Sequence, residues 1–207
     1  MIAGILKAPY WLLPVTWLNP RQSVRALTAE VSRSQHLLMV LACLLGLGHG
    51  LEIASWFGQA RDQLIPNLAV GPLIGLAYVY GLGYLMHRRY TAQQPSLDAI
   101  RSALVLMYTP VFWATWLRFV ARIIGGGLDR LEMSAGQSAA YQWLGLISVI
   151  LYLVAFWMSY VCLSEATGIP QDKLDEPAKN RDLIIAFLLI VGFFVAVYLA
   201  RLAGLLH

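Results

Sequence analysis

Three ionisable residues of this chain, His49, Glu52 and Arg118, fall inside long apolar stretches and are the best placed for chemistry. An ionisable side chain in the hydrocarbon of a bilayer is costly, so it is usually paired or functional. His49 and Glu52 are three residues apart and share one face of a helix. Glu52 and Arg118 lie at similar depths in two stretches that are predicted to run in the same direction. The three side chains therefore form a candidate intramembrane polar site, open to protons or anions.

Two simpler interpretations of these charges remain open. Glu52 and Arg118 can neutralise each other, or Arg118 can extend its guanidinium to the outer interface beside Arg122. Neither interpretation requires a ligand. The constellation is unspecific, so the sequence favours these structural roles over a polar cavity.

The sequence predicts no cofactor, no metal and no enzymatic activity. His36 and His87 fall at the ends of the first two apolar stretches, where a histidine pair could ligate a haem. Both positions are at the water boundary, however, where histidine is common, and His87 begins a His-Arg-Arg anchor. Cys43 and Cys162 match no metal-binding spacing and are interpreted as small apolar side chains. The chain also contains no GxSxG, Walker or HExxH motif.

Five long apolar stretches position these residues, and each has about the length needed to cross a bilayer. They run at about 36–57, 68–86, 103–124, 141–163 and 183–203. Charged residues make up 13% of the chain, whereas average soluble domains carry roughly 25%. The sequence therefore predicts an all-α polytopic membrane protein with a five-helix transmembrane domain over residues 36–207.

The distribution of Lys and Arg predicts the orientation. With the N-terminus in the cytoplasm, ten basic residues lie on the cytoplasmic side and four on the opposite side. The ten are Lys7, Arg21, Arg25, Arg33, Arg88, Arg89, Arg101, Lys173, Lys179 and Arg181. The four are Arg61, Arg122, Arg130 and Arg201. The positive-inside rule thus favours a cytoplasmic N-terminus and a C-terminus on the opposite side.

The same basic residues suggest which lipids the chain contacts. Arg21 and Arg25 form one basic cluster and Arg88 and Arg89 another, and both are predicted to contact anionic lipids of the cytoplasmic leaflet. Topology and lipid contact explain the formal net charge of +4. We therefore expect no nucleic-acid partner.

The first 35 residues are predicted to form a separate interfacial segment followed by a surface helix. Pro9 and Pro14 interrupt the apolar run 1–18, which makes it a poor spanning helix. Its aromatic residues suit the headgroup level of a membrane. They are Tyr10, Trp11 and Trp17.

A helix is predicted to begin at Pro20, because Asn19 is a favourable N-cap and proline is favoured at the first helical position. Its apolar residues recur at helical spacing. They are Val24, Leu27 and Val31. We expect this helix to lie along the cytoplasmic surface.

Small residues predict where helices approach closely. Gly46 and Gly50 form a Gly-xxx-Gly motif in the first stretch, and Gly71 and Gly75 form another in the second. Packing within the bundle is the favoured interpretation, and a dimerisation or partner-docking face is the alternative. Two prolines and a tyrosine belong to the same set: Pro72, expected in the first turn of the second span, Tyr108, and Pro110, expected to kink the third.

Three short motifs resemble the Yip family of five-span membrane proteins, in its prokaryotic branch. They are Trp17-Leu18-Asn19-Pro20-Arg21 before the first span, Val70-Gly71-Pro72-Leu73 in the second, and Tyr108-Thr109-Pro110 in the third. By helix order the resemblance covers roughly residues 17–200. It implies a bacterial inner-membrane protein.

The resemblance implies an architecture more than an activity. Eukaryotic relatives engage Rab-type GTPases, but this chain has only a short N-terminal region, which puts GTPase binding in doubt. We expect a scaffold or accessory subunit that acts through lipids and through another membrane protein or self-association. The alternative is lipid handling, or transport of protons or a small solute, at a polar site around Glu52 and Arg118.

Overall fold

A computed structural model describes residues 2–56, 61–90, 93–124 and 135–174, with side chains over 7–48, 50, 69–90, 93–121, 143–171 and 173–174. Every regular element in these ranges is a helix, which confirms the predicted all-α class. By contact density the chain divides into two compact units, Met1–Ile169 and Pro170–His207. The described part of the second unit holds one short helix, α8 (Gln171–Leu174).

The N-terminal region consists of helix α1 (Ile2–Leu12), a 3-10 turn (Pro14–Trp17) and helix α2 (Pro20–Arg33). The predicted cap of α2 is confirmed, since the side chain of Asn19 accepts a hydrogen bond from the backbone N–H of Gln22. The predicted inward face is confirmed as well. Its buried residues are Pro20, Val24, Leu27 and Val31. This helix packs against two later helices, α6 (Leu97–Ile124) and α7 (Ala135–Thr167).

The first two apolar stretches form a pair of contacting helices. Helix α3 (Gln35–Trp56) packs along α4 (Arg61–Leu76). A π-helical segment (Ala77–Leu82) and α5 (Gly83–Arg89) continue α4 without a break. Pro72 therefore lies in the interior of α4 and not in a first turn as expected, because the helix begins about three turns before it.

Helix α6 (Leu97–Ile124) is the centre of the first unit. It contacts α1, α2, α3, α5 and α7 (Ala135–Thr167). Half of its most apolar stretch is buried inside the chain, whereas the buried share is 22% for the candidate span before it and 28% for the one after it. Pro110 lies buried inside this helix.

Three helical stretches in the described residues are long and apolar enough to cross a membrane: Ala69–Arg89, Leu97–Ala121 and Trp143–Thr167. They correspond to the second, third and fourth predicted spans. The first predicted span coincides with α3, whose fully described apolar part, Gln35–Gly48, is shorter. The fifth, at 183–203, lies outside the described residues.

Candidate functional site

Of the three residues in the predicted intramembrane polar site, the structure describes the side chain of Arg118. This half-buried guanidinium lies 5.0 Å from the centre of the Tyr152 ring, so it joins α6 to α7 through a cation–π contact. His49 and Glu52 are on the backbone of α3, but their side chains lie outside the described residues. The pairing of Glu52 with Arg118 stays a prediction. Sequence reasoning missed Tyr152, because nothing in the sequence distinguishes it from the many other aromatic residues.

The glycines of the two Gly-xxx-Gly motifs lie against one another where α3 meets α4. A Cβ atom on Gly46 would overlap the carbonyl oxygen of Gly71, and one on Gly75 would overlap the carbonyl oxygen of Ala42. One on Gly71 would lie 3.2 Å from the Cα atom of Gly50. The two backbones are therefore in direct contact, and all four glycines are buried. This geometry assigns them an internal packing role.

Tyr108 lies on the side of α6 that faces the π-helical segment after α4. Its ring centre is 4.9 Å from that of Tyr78 in the π-helical segment, with the planes tilted by 49°. Aromatic pairs at this separation whose rings are not stacked face to face are favourable. Tyr108 thus holds α6 to the helix that continues α4.

The predicted lipid-contacting arginines differ in their surroundings. Arg21 and Arg88 are exposed. Arg25 donates from Nε to Glu165 Oε1 at 2.5 Å, which joins α2 to the end of α7. The hydrogen bond and the carboxylate charge of Glu165 raise the pKa of Arg25 above its usual value. Arg89 stacks over the ring of its neighbour Tyr90 at 5.7 Å.

The Arg101 cluster consists of His87 and Arg89 on α5 and Arg101 near the start of α6; sequence reasoning noted the two α5 residues but missed Arg101. Arg101 places its guanidinium 4.5 Å from the centre of the Tyr80 ring, and its stem lies against Gly83. Three nitrogens in this helix pair are buried without a hydrogen-bond partner in the described part of the chain: Arg101 Nε, Arg89 Nη2 and His87 Nδ1. Buried guanidinium donors without acceptors are costly, and guanidinium groups match phosphate oxygens. An anion that reached Arg101 and Arg89 would supply the missing acceptors.

The N-terminal turn is the second set of polar contacts that the sequence did not reveal. Trp17 Nε1 donates to Thr109 Oγ1 at 2.6 Å, and Trp113 Nε1 donates to the carbonyl oxygen of Leu12 at 2.6 Å. Trp11 is buried and donates to Glu30 Oε2 at 3.1 Å. The predicted headgroup aromatics Trp11 and Trp17 therefore have partners inside the chain, whereas Tyr10 is exposed.

Within the described ranges, no group of three or more His, Cys, Asp or Glu side chains is arranged to hold a metal ion. Comparison of the chain with protein-family models, with curated proteins and with solved structures found no match.

Proposed function

We propose that this chain is a five-span integral membrane protein of the Yip type, in a bacterial inner membrane, with its N-terminus in the cytoplasm. It acts without catalysis, as a scaffold or accessory subunit. Its partners are lipids and either another membrane protein or a second copy. The three helices long and apolar enough to span a membrane support the membrane location.

The division between inward and outward residues supports the scaffold role. Gly46, Gly71 and Gly75 make their close contacts within the chain, so the small-residue motifs hold α3 against α4. Large aromatics point the other way, since Trp143 and Trp157 on α7 are exposed. Exposed aromatics on a helical bundle suit contact with lipid or with another membrane chain.

Mass spectrometry of the protein extracted in mild detergent tests this role. The proposal predicts a defined assembly with another membrane protein or a second copy, in a fixed ratio that persists through purification. A lone chain carrying only lipid would contradict it. Loss of a flux in reconstituted vesicles for both Glu52→Ala and Arg118→Ala, with folding retained, would favour transport instead.

Lipid handling is the second candidate, and the Arg101 cluster is the observation that favours it. Its buried nitrogens lie at the end of the bundle where α6 begins, the predicted level of the cytoplasmic headgroups. A phospholipid phosphate would accept from Arg101 Nε and Arg89 Nη2 once the side chains that cover these two atoms move aside. The predicted contacts of Arg21, Arg25, Arg88 and Arg89 with anionic lipid belong to the same proposal.

Lipid co-purification measured by native mass spectrometry tests the second candidate. Arg101→Gln is expected to reduce retained phosphatidylglycerol relative to phosphatidylcholine by several-fold. Arg33→Gln removes an exposed arginine at the end of α2 and is the matched control. Equal lipid retention by the two variants would contradict a phosphate site at Arg101.

A further inference from the structure

The turn between α1 and α2 is fixed to the middle of a membrane-spanning helix. Thr109, which accepts from Trp17, is the middle residue of Leu97–Ala121, the part of α6 that is long and apolar enough to cross a membrane. It is twelve residues from either end of this stretch, or about 18 Å at 1.5 Å per residue. Thr109 is therefore at mid-length of the candidate span.

The second anchor lies at nearly the same level. Trp113 is one turn further along α6, but helical side chains tilt toward the N-terminus of their helix, which brings its indole back toward Thr109. The indole N–H reaches the carbonyl oxygen of Leu12, the last residue of α1. A terminal carbonyl has no donor within its own helix, so this bond satisfies it.

Both arms of the hairpin lead back toward the end where α6 begins. Gln35, just after α2, donates to the carboxylate of Asp98 at 3.1 Å, eleven residues before Thr109 on α6. Between Trp17 and Gln35, the position on α6 that the chain contacts thus shifts by about 16 Å toward the start of α6. Lys7 on α1 pairs with Glu30 on α2 at 3.0 Å, which ties the arms together above the turn.

Hydrogen bonds within the chain lower the cost of placing this turn in the bilayer interior. Irregular backbone occurs at that depth where it is buried in protein or lines a water-filled cavity, because polar groups without partners are costly there. The Thr16 hydroxyl donates to the carbonyl of Leu13, and the Ser23 hydroxyl donates to the carbonyl of Thr16. Asn19 and Gln22 hydrogen-bond to each other through their side chains at 3.0 Å.

The outward side of the turn is apolar. No charged residue occurs from 8 to 20. Three large side chains of the turn are exposed: Leu13, Val15 and Leu18, the last of them 84% exposed. In water such a patch on a turn would be unfavourable, whereas acyl chains would cover it at little cost.

We propose that α1, the 3-10 turn and α2 form a re-entrant hairpin that enters the bilayer from the side where α6 begins, turns at half depth and returns. Acyl chains of that one leaflet contact Leu13, Val15 and Leu18. The proposal rests on the membrane location of the spans and is independent of the scaffold role. It replaces the expectation that residues 1–18 lie on the membrane surface.

One charged residue next to the turn, Arg21, must be accommodated in the hairpin. Arg21 is exposed and follows the turn directly. In the hairpin the side chain must bend back against the N-terminal tilt of helical side chains for the guanidinium to reach the phosphates, as arginine does when it snorkels to a bilayer boundary.

Site-directed spin labelling in vesicles of phosphatidylglycerol and phosphatidylethanolamine tests the hairpin. The background carries Cys43→Ala and Cys162→Ala, and single labels are placed at Leu18→Cys and, as a second tip position, Val15→Cys. Leu153→Cys on an exposed face of α7 is the lipid control, and Arg33→Cys at the exposed end of α2 is the aqueous control. Collisions with oxygen and with a water-soluble nickel chelate report lipid and water contact.

The tip labels are expected to match the α7 label, with strong oxygen and weak nickel collisions. Tip labels that match Arg33→Cys would overturn the proposal and restore the surface-lying segment. Tip labels that neither reagent reaches would also overturn it, because protein would then cover the turn. An α7 label open to nickel would refute the membrane location itself, which separates that failure from failure of the hairpin.

Discussion

Trp17 and Thr109 are 92 residues apart in sequence, and a hydrogen bond of 2.6 Å joins their side chains. The threonine hydroxyl serves two partners, since it accepts from the indole and donates to the carbonyl of Leu106 at 2.8 Å. The bond places the N-terminal turn against the central helix. A segment that composition alone would leave on the surface is thereby part of the packed chain.

Removing the indole N–H should therefore destabilise the whole first unit. Trp17→Phe keeps an aromatic ring but loses the donor, and we expect a loss of about 1 kcal/mol. Thermal unfolding in detergent measures it, with Trp157→Phe on the exposed face of α7 as control. A double-mutant cycle with Thr109→Val should show coupling between the two positions. Additive effects would show that the bond contributes nothing.

The α3–α4 contact makes a second prediction. Gly46→Ala places a methyl group against the backbone of α4, where no flexible side chain can yield. We expect a destabilisation of roughly 1–3 kcal/mol or failure to fold, because the two helices must separate. Gly145→Ala is the matched control, since a Cβ there meets nothing within 4 Å. Equal folded yields from the two variants would contradict the close backbone contact.

The inward face of α2 makes a third prediction. Leu27 is fully buried, and Leu27→Ala should cost roughly 2–5 kcal/mol if α2 is part of the core. Leu18→Ala removes the same atoms from an exposed position and should cost far less. The comparison measures the unfolding transition of α6 and α7, and proteolysis is used to monitor it. An α2 that merely rests on the membrane would leave that transition unchanged.

The Arg25–Glu165 pair predicts that stability depends on salt concentration and on the presence of opposite charges at these two positions. Arg25→Gln should lower the unfolding temperature slightly at low salt and not at 1 M salt, because the pair is largely exposed on the arginine side. The exchange of the two residues, Arg25→Glu with Glu165→Arg, should restore part of the loss. An exchange variant weaker than either single variant would show that the pair is not a contact.

The pH dependence of this pair follows from the direction of the shift. The pKa of Arg25 is raised by Glu165, so its contribution to stability is complete below the usual arginine value and is lost as pH rises through the raised one. Arg25 therefore adds no pH dependence between pH 6 and pH 9. A stability change in that interval that vanishes in Arg25→Gln would contradict this assignment.

Local signals were readable from the sequence, and partners distant in the chain were not. Capping by Asn19 and the Val24, Leu27, Val31 spacing predicted α2, because both depend on residues within two turns. The sequence predicts a headgroup position for Trp17, because an amphipathic ring suits a membrane interface and a buried hydrogen bond equally well. Its partner Thr109 is set by packing of α6, which no local pattern encodes.

The same limit applies to the candidate sites. The Gly-xxx-Gly spacing predicted a close helix approach, and the structure adds that the approach is internal. From the sequence, Arg101 contributes only to the count of cytoplasmic charges. Its stacking on Tyr80 depends on how α5 lies against α6, so charge counting could not single it out.

The sidedness of the two chain ends tests the central claim most directly. Single-cysteine tags at the N-terminus and at the C-terminus can be labelled from either side of oriented inner-membrane vesicles with an impermeant reagent. Five spans and an inward N-terminus predict that the N-terminal tag reacts from the cytoplasmic side and the C-terminal tag from the opposite side. Labelling of both tags from one side would contradict the account.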